Sequence, residues 1–393
     1  MTTPAPIDPR SLEPVLRPFG ESRLLPAEAY SSPDVFAWEV KHFFEWGWVC
    51  LGRDEGVAQV GDQKAVRVGR DGVVLVRGED GRLRGFFNSC RHRAHELLRV
   101  GECRRARMLR CDYHGWQYGL DGALSQGVLA SHAPSFDPRS EGLVSARVET
   151  WRGFVFVNAS GDAPPLMDFI GDLEDIARPY ATQDLRVLAR HEYEIAANWK
   201  LLTENYHECY HCPQIHPELC RISPPDSGSS RDGNGAWVGG SMEMIPQAAT
   251  MSLDGTSDGV TLPGVKGALA RQVYYVGLLP NVLLSYHTDY VMVHRVEPLA
   301  FDRSFIECTW LFSPEAERTP GFSPRYAEEF WDVTNKQDWR AVESVQRGVQ
   351  SHGYVPGTLT PREDCLYAFV TRIAKGYLAG ALRPQVSMTL ARS

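Results

Sequence analysis

The chain has 393 residues, of which 43% are hydrophobic and 23% are charged, and it carries a formal net charge of −8. This length and composition indicate a globular protein with enough material for two domains, and the acidic balance argues against a nucleic-acid partner held by phosphate contacts. No apolar run approaches the roughly 18 residues of a membrane span and no signal peptide is evident, so we expect a cytoplasmic protein without a membrane segment.

The first predicted element is a helix over residues 36–49, where FAWEVKHFFEWGWV places apolar residues at helical spacing. It closes an N-terminal helical segment that we assign to residues 1–44. Between Ala65 and Val157, short β-type runs alternate with Asp-Gly turn signals. This alternation predicts a small all-β domain over residues 45–160.

The remaining residues, 161–393, are predicted to form a larger second domain. Prolines open the segment DAPPLMDFIGDLEDIARPY, which continues as an amphipathic helix and marks the boundary near residue 160. Helical sequence follows at 198–212 and at 325–350, and β-type sequence lies between these two stretches. The pattern predicts an α+β fold with an antiparallel sheet.

The predicted β domain contains two mixed pairs of cysteine and histidine in NSCRHRAHELLRVGECRRARMLRCDYHGW. Cys90 and His92 are one residue apart, Cys111 and His114 are two residues apart, and eighteen residues separate the pairs. Nine cysteines in so long a chain fit reduced thiols and metal ligands better than a disulfide framework, which would also leave the histidines unexplained. One thiol and one imidazole on each hairpin suit a Rieske-type [2Fe–2S] cluster.

A structural zinc site is the alternative interpretation of these pairs, because two thiolates and two imidazoles also satisfy tetrahedral zinc. The familiar zinc finger, however, keeps its cysteines in one pair and its histidines in the other. Two further residues of the stretch, His95 and Cys103, are interpreted as loop residues. Trp116 and Tyr118 are interpreted as packing residues beside the cluster.

A second motif, NWKLLTENYHECYHCPQIHPEL, lies in the larger domain at residues 198–219. Glu208 and His211 are three apart on the predicted helix and so share a face. Pro213 is expected to end this helix and to let the chain return His216 to the same centre. Two histidines and one carboxylate on one face of an Fe(II) ion form the site of non-haem oxygenases, which activate dioxygen.

Asp338, on the predicted helix over residues 325–350, is the candidate for the carboxylate of this site. Its place on the helix ahead of Glu343 and Gln346 is similar to that of the third iron ligand in Rieske oxygenases. The alternative interpretation is a solvated acidic residue on the helix surface.

The motifs NSCRHRAHEL, CDYHGWQYGLDG and NYHECYHC resemble those of the Rieske non-haem iron oxygenases, catalytic (α) subunit, and the resemblance covers nearly the whole chain. It implies an N-terminal all-β Rieske domain and a larger catalytic domain in which an antiparallel sheet is wrapped with helices. It also implies a [2Fe–2S] cluster on Cys90, His92, Cys111 and His114, and a mononuclear Fe(II) on His211, His216 and Asp338.

The same resemblance implies the partners of the reaction. Dioxygen is the cosubstrate, and the electrons come from NAD(P)H through a separate reductase that carries flavin and an iron–sulfur cluster. The chain itself shows no glycine-rich nucleotide motif and no second cysteine cluster, which agrees with a separate reductase. Members of the family form head-to-tail homotrimers in which the Rieske site of one subunit abuts the iron site of its neighbour.

Glu208 takes the position where most members of the family have an aspartate that bridges a Rieske histidine of one subunit and an iron-ligand histidine of the next. A purely local role for this helix carboxylate is the alternative. Together with ENYHECYHC and HPEL, the glutamate is similar to the branch that acts on quaternary ammonium compounds such as glycine betaine, carnitine, choline and proline betaine. The expected function is therefore a Rieske-type monooxygenase that hydroxylates a quaternary ammonium substrate, with oxidative N-demethylation of a betaine as the expected outcome.

Three other functions compete with this expectation. They are an aromatic-ring-hydroxylating or O-demethylating Rieske oxygenase, a pure Rieske electron carrier and a zinc-stabilised binding protein. A trimethylammonium group would be held by aromatic faces, through attraction on the order of 0.5–2 kcal/mol per ring. Candidate aromatic residues on the predicted strands, most of them expected in the core, are Trp237, Tyr274, Tyr275, Tyr286, Tyr290, Trp310 and Phe312.

Overall fold

The structure is a computed structural model that describes residues 3–126, 134–231 and 233–385. The chain divides into two compact units, a smaller one of residues 40–166 and a larger one of residues 1–39 and 167–393. Antiparallel sheets and α-helices build the chain, so the predicted α+β class is confirmed. Within the described residues, no helix combines the length and the apolar character needed to cross a membrane.

The smaller unit consists of a seven-stranded and a three-stranded antiparallel sheet. The seven-stranded sheet has the order β1-β10-β9-β4-β3-β2-β5 and the three-stranded sheet the order β6-β7-β8. The strands are β1 (Val49–Arg53), β2 (Asp62–Val68), β3 (Asp71–Arg77), β4 (Leu83–Phe87), β5 (Cys103–Arg105), β6 (Leu109–Arg110), β7 (Gln117–Tyr118), β8 (Leu124–Gln126), β9 (Ser145–Trp151) and β10 (Phe154–Asn158).

The helix predicted over residues 36–49 is wrong in its extent. The α-helix ends at Glu39, a π-helical turn spans Val40–Glu45, and Val49 already begins β1. Trp48 and Val49 are buried, and Val49 pairs with Val157 of β10. Apolar residues that the helical spacing assigned to one helix face, such as Val49, therefore belong to the edge strand β1.

The larger unit is built on a second seven-stranded antiparallel sheet, with the order β11-β17-β16-β15-β14-β13-β12. Its strands are β11 (Arg186–Ile195), β12 (Ser229–Ser230), β13 (Trp237–Glu243), β14 (Gln272–Leu278), β15 (Val282–Tyr286), β16 (Tyr290–Ala300) and β17 (Arg303–Phe312). The α-helices, in chain order, are α1 (Pro9–Leu12), α2 (Glu28–Ser31), α3 (Pro33–Glu39), α4 (Leu166–Ile170), α5 (Leu173–Ala177), α6 (Trp199–Tyr206), α7 (Cys212–Ile215), α8 (Pro217–Ile222), α9 (Pro314–Arg318), α10 (Arg325–Val349) and α11 (Asp364–Ala379). Short 3-10 turns lie at Asp54–Val57, Pro138–Ser140, Arg178–Tyr180, Thr182–Asp184 and Gly267–Arg271.

Helices cover this second sheet. α6 packs against β16 and α10, α10 packs against β11 and α8, and α11 packs against β13 and α6. All five residues of β15 are buried, as expected for a strand in the middle of a covered sheet. The helices α6 and α10 consequently meet over the central strands, and both lead to the candidate site.

A buried ion pair fixes α6 to α3. Lys200 Nζ donates to Glu39 Oε1 at 2.6 Å, and both side chains are fully buried. Glu39 also accepts from Trp199 Nε1 at 2.9 Å and from the hydroxyl of Tyr377. Burial lowers the pKa of Lys200, and the contact with Glu39 opposes that shift. The paired and hydrogen-bonded geometry is what makes a buried charge of this kind tolerable.

Replacement of Lys200 by methionine should lower the free energy of unfolding of the larger unit by about 3–5 kcal/mol, because it leaves the Glu39 carboxylate buried without its cation. The matched control is Lys336→Met, which removes the half-exposed pair with Asp332 (2.5 Å) and should cost less than about 1 kcal/mol. Urea denaturation followed by tryptophan fluorescence measures both. Equal losses in the two variants would contradict a structural role for the buried pair.

Candidate metal centres

Two loops of the smaller unit carry the mixed cysteine and histidine pairs. Cys90 and His92 follow β4, and Cys111 and His114 lie between β6 and β7. The two cysteines are buried in one apolar cluster, whereas both histidines are exposed and their ring centroids lie 4.5 Å apart. Burial raises the pKa of the Cys111 thiol. The structure thus brings all four residues together, with the thiols inside and the imidazoles at the surface.

The two loops share one backbone conformation. The N–H of Cys90 donates to the carbonyl five residues further on, at 2.9 Å, and its carbonyl accepts from the N–H of Ala94 at 2.9 Å. Cys111 repeats both bonds, at 2.8 Å and at 3.0 Å, the latter from Gly115. Ala94 and Gly115 both have a positive φ, of 56° and 72°. Two equivalent loops that each present one thiol and one imidazole fit a [2Fe–2S] cluster of the Rieske type.

Tyr118 and Trp116 contact the ligand loops directly. The indole of Trp116 stacks on His92, with centroids 5.1 Å apart. The hydroxyl of Tyr118 accepts from the N–H of Arg91 at 3.1 Å and lies 3.2 Å from Cys90 Sγ. Since its oxygen already accepts from Arg91, the hydroxyl can donate its hydrogen to the sulfur. The packing role assigned to Tyr118 from the sequence is therefore incomplete.

His211, His216 and Asp338 converge in the larger unit. The Nε2 atoms of the two histidines are 3.2 Å apart, and Asp338 Oδ1 lies 2.8 Å from His216 Nε2 and 3.5 Å from His211 Nε2. Metal–ligand bonds of about 2.1 Å in an octahedron separate neighbouring ligand atoms by about 3 Å. The three atoms therefore have the spacing of one octahedral face, and the donor set is that of the non-haem iron oxygenases.

The path of the chain to these ligands differs from the predicted helix over residues 198–212. Helix α6 ends at Tyr206, so Glu208 and His211 lie in the turn after it rather than on a common helix face. Pro213 stands in the first turn of the new helix α7, where a missing N–H costs nothing, and so it begins a helix instead of ending one. His216 links α7 to α8.

Glu208 is held against His211. Its Oε1 accepts from Nδ1 of the His211 ring, and its Oε2 accepts from the N–H groups of Tyr210 (2.7 Å) and His211 (3.2 Å). Burial disfavours the charged form of His211, but hydrogen bonds with Asp338 and Glu208 outweigh it and raise the pKa of His211 to about 10. Burial likewise opposes ionisation of Asp338, yet bonds with His211 and His216 hold the pKa of this carboxyl below its ordinary value.

His216 has a different support. Its Nδ1 lies 2.7 Å from Gln337 Oε1, and the amide nitrogen of Gln337 donates to Glu218 Oε2 at 3.2 Å. Sequence reasoning missed Gln337 and Glu218, although Gln337 directly precedes Asp338. The position of Gln337 beside a candidate ligand was the only sequence feature that could have indicated its contact with the site.

Cys209 and Cys212 form a disulfide that spans the turn between α6 and α7. The expectation that the cysteines are all reduced thiols or ligands is therefore wrong for this pair. The Cys-X-X-Cys spacing was visible in the sequence, and both residues line the cavity described next.

A cavity of about 380 Å³ opens beside the three donor atoms. Four aromatic residues line it: Tyr206, Tyr275, Trp331 and Trp339. The ring centroid of Tyr275 lies 5.9 Å from that of Tyr206 and 6.2 Å from that of Trp331. Of the seven aromatic candidates named from the sequence, Tyr275 is the one that lines this cavity; the others, such as Trp310 and Phe312, are not part of its lining.

Three residues of the cavity wall carry a buried polar atom without a hydrogen-bond partner in the described part of the chain: Tyr275 Oη, Trp339 Nε1 and His294 Nδ1. Burial lowers the pKa of His294 to about 4, so this ring is neutral at pH 7. Its Nε2 pairs with Asn335 Oδ1 at 3.1 Å, which leaves Nδ1 as an acceptor. All three atoms are buried behind the surface of the cavity wall.

Comparison with known sequence families gives two matches. Residues 47–137 match the Rieske [2Fe-2S] domain, and residues 182–379 match the ring hydroxylating alpha subunit, catalytic domain. The glycine betaine monooxygenase oxygenase subunit of Chromohalobacter salexigens is 30% identical over 363 residues, which are 85% of this chain and 81% of that protein. The carnitine monooxygenase oxygenase subunit of Escherichia coli K12 is 28% identical over 337 residues, covering 85% and 86% of the two chains.

Two solved structures show the same fold. The quaternary ammonium Rieske monooxygenase CntA in complex with L-carnitine aligns with a TM-score of 0.77 and 25% identity, over 94% of this chain and 99% of that chain. Naphthalene 1,2-dioxygenase from a Rhodococcus species aligns with a TM-score of 0.76 and 18% identity, over 95% and 98% of the two chains. The two TM-scores are nearly equal, so the backbone does not discriminate between these two kinds of substrate.

Replacement of Tyr118 by phenylalanine should lower the reduction potential of the cluster by about 60 mV while leaving its visible spectrum intact. A hydrogen bond to a charged group contributes about 1.5 kcal/mol, and 1.4 kcal/mol corresponds to about 59 mV for one electron; the bond favours the more negative, reduced cluster. Tyr113→Phe is the control, because Tyr113 lies in the second ligand loop and is exposed. Redox titration followed by circular dichroism measures both potentials. An unchanged potential in Tyr118→Phe would show that the hydroxyl does not donate to Cys90.

Proposed function

The chain belongs to the Rieske non-haem iron oxygenases, the ring-hydroxylating α-subunit family, and on that premise we propose that it hydroxylates a zwitterionic quaternary ammonium substrate, a betaine. An iron ion held by His211, His216 and Asp338 would supply the activation of dioxygen and the insertion of one oxygen atom into a C–H bond beside nitrogen. Hydroxylation of an N-methyl group would give a hydroxymethyl ammonium ion, which loses the proton of its hydroxyl group and splits into formaldehyde and the demethylated tertiary amine.

The aromatic lining of the cavity is the observation that carries the substrate proposal. A quaternary ammonium group makes no hydrogen bonds, and the faces of tyrosine and tryptophan attract it by about 0.5–2 kcal/mol each. Tyr206, Tyr275, Trp331 and Trp339 supply such faces next to the candidate iron ligands. The names of the relatives, which act on glycine betaine and carnitine, support the same substrate class.

A positive charge at the edge of the cavity supports a carboxylate on the same substrate. Arg362 is the single lysine or arginine among the described residues of the lining, and it is exposed, so it lies where the cavity meets solvent. A guanidinium can bind the carboxylate of a betaine through a charge-assisted hydrogen bond, which an aromatic hydrocarbon cannot form.

The protein groups around the candidate iron site determine which histidine nitrogens would bind the metal. Glu208 accepts from Nδ1 of His211, so Nε2, the atom that faces Asp338, is the nitrogen that would supply a lone pair to a bound metal. We further propose that Glu208 conducts electrons to the iron site from the [2Fe–2S] cluster of a neighbouring subunit in a homotrimer. A separate cytoplasmic reductase, with flavin and an iron–sulfur cluster, would reduce that cluster with NAD(P)H.

A single-turnover experiment tests the substrate class without the reductase. Protein reduced with dithionite and freed of excess reductant is mixed with dioxygen and with glycine betaine, carnitine, choline or naphthalene. We expect formaldehyde or a hydroxylated product from the betaines, in proportion to the reoxidised cluster. Product from naphthalene and none from the betaines would establish the aromatic alternative, and cluster reoxidation without product from any of them would favour an electron carrier.

Two variants accompany this experiment. Asp338→Ala should lose the mononuclear iron and all product while keeping the cluster absorbance, because the two centres use separate ligands. Arg362→Gln should raise the KM for carboxylated substrates about tenfold, the loss of roughly 1.4 kcal/mol for a charge-assisted bond, and leave choline unaffected. Arg347→Gln, an exposed change on α10, is the matched control.

Replacement of Glu208 by glutamine should keep both metals and the oligomeric state but remove most steady-state turnover. A neutral amide cannot accept from two imidazole N–H groups as a carboxylate can. Stopped-flow absorbance should show normal reduction of the cluster by dithionite and slow reoxidation with substrate and dioxygen. Glu208→Asp should be intermediate, and the exposed change Glu243→Gln should have no effect. Normal reoxidation in Glu208→Gln would remove Glu208 from the electron path.

A further inference from the structure

The two candidate ligand histidines are supported by chemically different groups. His211 contacts the carboxylate of Glu208 through Nδ1, whereas His216 contacts the amide oxygen of Gln337 through Nδ1 at 2.7 Å. The side chain of His216 is 2% exposed and that of His211 is 21% exposed, so the histidine with the neutral partner is the more deeply buried of the two.

The hydrogen bond to Gln337 selects one tautomer of His216. An amide oxygen only accepts, so Nδ1 carries a hydrogen, and Nε2 is the nitrogen that would supply the lone pair to a bound metal. Nε2 is the atom that lies 2.8 Å from Asp338 Oδ1 and 3.2 Å from His211 Nε2. Nε2 of His216 therefore faces the position where the three donor atoms meet.

Glu218 determines which end of the Gln337 amide faces His216. The amide nitrogen donates to Glu218 Oε2 at 3.2 Å. A flipped amide would place its oxygen against this carboxylate and its N–H groups against the N–H of His216, and both contacts would be repulsive. Glu218 is in α8, two residues after His216, so the bond also connects α8 to α10.

Consecutive residues of α10 thus hold the two nitrogens of one ring. Gln337 bonds to Nδ1 and Asp338 contacts Nε2 of His216. Neighbouring residues on a helix are rotated by about 100° from each other, so α10 contacts the imidazole from two directions. A ring held in this way keeps its plane and the hydrogen on Nδ1 when the metal is absent.

We propose that Gln337, oriented by Glu218, is the positioning residue that pre-forms His216 as a metal ligand. The proposal rests on the function proposed above only in taking His211, His216 and Asp338 as the iron ligands. Partners of this kind that support a ligand histidine typically change metal affinity by about 10–100-fold when they are removed.

Cobalt(II) binding to the iron-depleted mononuclear site tests the proposal independently of turnover. Equilibrium dialysis with metal analysis gives the dissociation constant, and the EPR spectrum of bound cobalt, recorded with the cluster oxidised, reports the ligand geometry. We expect Gln337→Leu to weaken cobalt binding about 10–100-fold and to change the EPR spectrum. Glu218→Leu should have a smaller effect in the same direction, because the amide of Gln337 is then free to rotate. Gln350→Leu, an exposed change at the end of the same helix, is the matched control.

A double variant keeps the test decisive if Gln337→Leu does not fold. Gln337→Glu combined with Glu218→Gln exchanges the amide and the carboxylate, so His216 still has an acceptor and the bond to α8 is kept. Its cobalt affinity should equal or exceed that of the unchanged protein. A tenfold loss in this double variant, or cobalt affinity and EPR spectrum unchanged in Gln337→Leu, would overturn the role of Gln337. If Asp338→Ala binds cobalt as tightly as the unchanged protein does, the assignment of the metal site itself is wrong.

Discussion

The contact of Asp338 Oδ1 with the Nε2 atoms of His211 and His216 is the interaction on which the chemistry of the larger unit depends. It joins the middle of α10 to residues far earlier in the chain: His216 lies 122 positions before Asp338. Hydrogen bonds between the two rings and this carboxylate hold the three atoms together, and a divalent cation at the centre would displace the hydrogens and bind all three atoms. The packing of α6 and α8 against α10 keeps the three atoms at this spacing.

Polar bonds behind the ligands hold this arrangement. Glu208 supports His211 and Gln337 supports His216, and the Cys209–Cys212 disulfide closes the short segment that contains His211. At the other end of α6, the buried pair of Lys200 and Glu39 fixes the helix to α3. Burial of so many polar groups is costly unless each has a partner, so the bonded network restricts the site to one geometry.

The substrate is selected by side chains rather than by the backbone. A quaternary ammonium monooxygenase and a naphthalene dioxygenase align with this chain with TM-scores of 0.77 and 0.76. Folds of this kind host different reactions, and the chemistry of the cavity wall distinguishes them. Here aromatic residues line the cavity and Arg362 lies at its exposed edge, and these are the side chains from which a betaine substrate is proposed.

The sequence alone determined the groups of residues that lie close together in the chain. Only one or two turns of the chain separate the members of each group, so their residues lie close together in any fold. The groups are Cys90/His92, Cys111/His114 and the run from Glu208 to His216. The α+β class followed from the order of helical and β-type stretches, and Asp338 followed from family resemblance rather than from spacing. Even the wrong helix over residues 198–212 placed the candidate ligands His211 and His216 near each other, because a turn brings neighbours together as a helix does.

The tertiary structure alone decided the contacts that cross between elements. Tyr274 and Tyr275 were equal candidates in the sequence, but side chains alternate along a strand, and the register that pairs Tyr275 with Ser285 turns only Tyr275 into the cavity wall. The bond of Gln337 to His216 depends on how α10 is rotated against α8, and the contact of Tyr118 with Cys90 depends on how two loops meet. Strand register and helix rotation are set by packing over the whole core, and local sequence spacing carries no record of them.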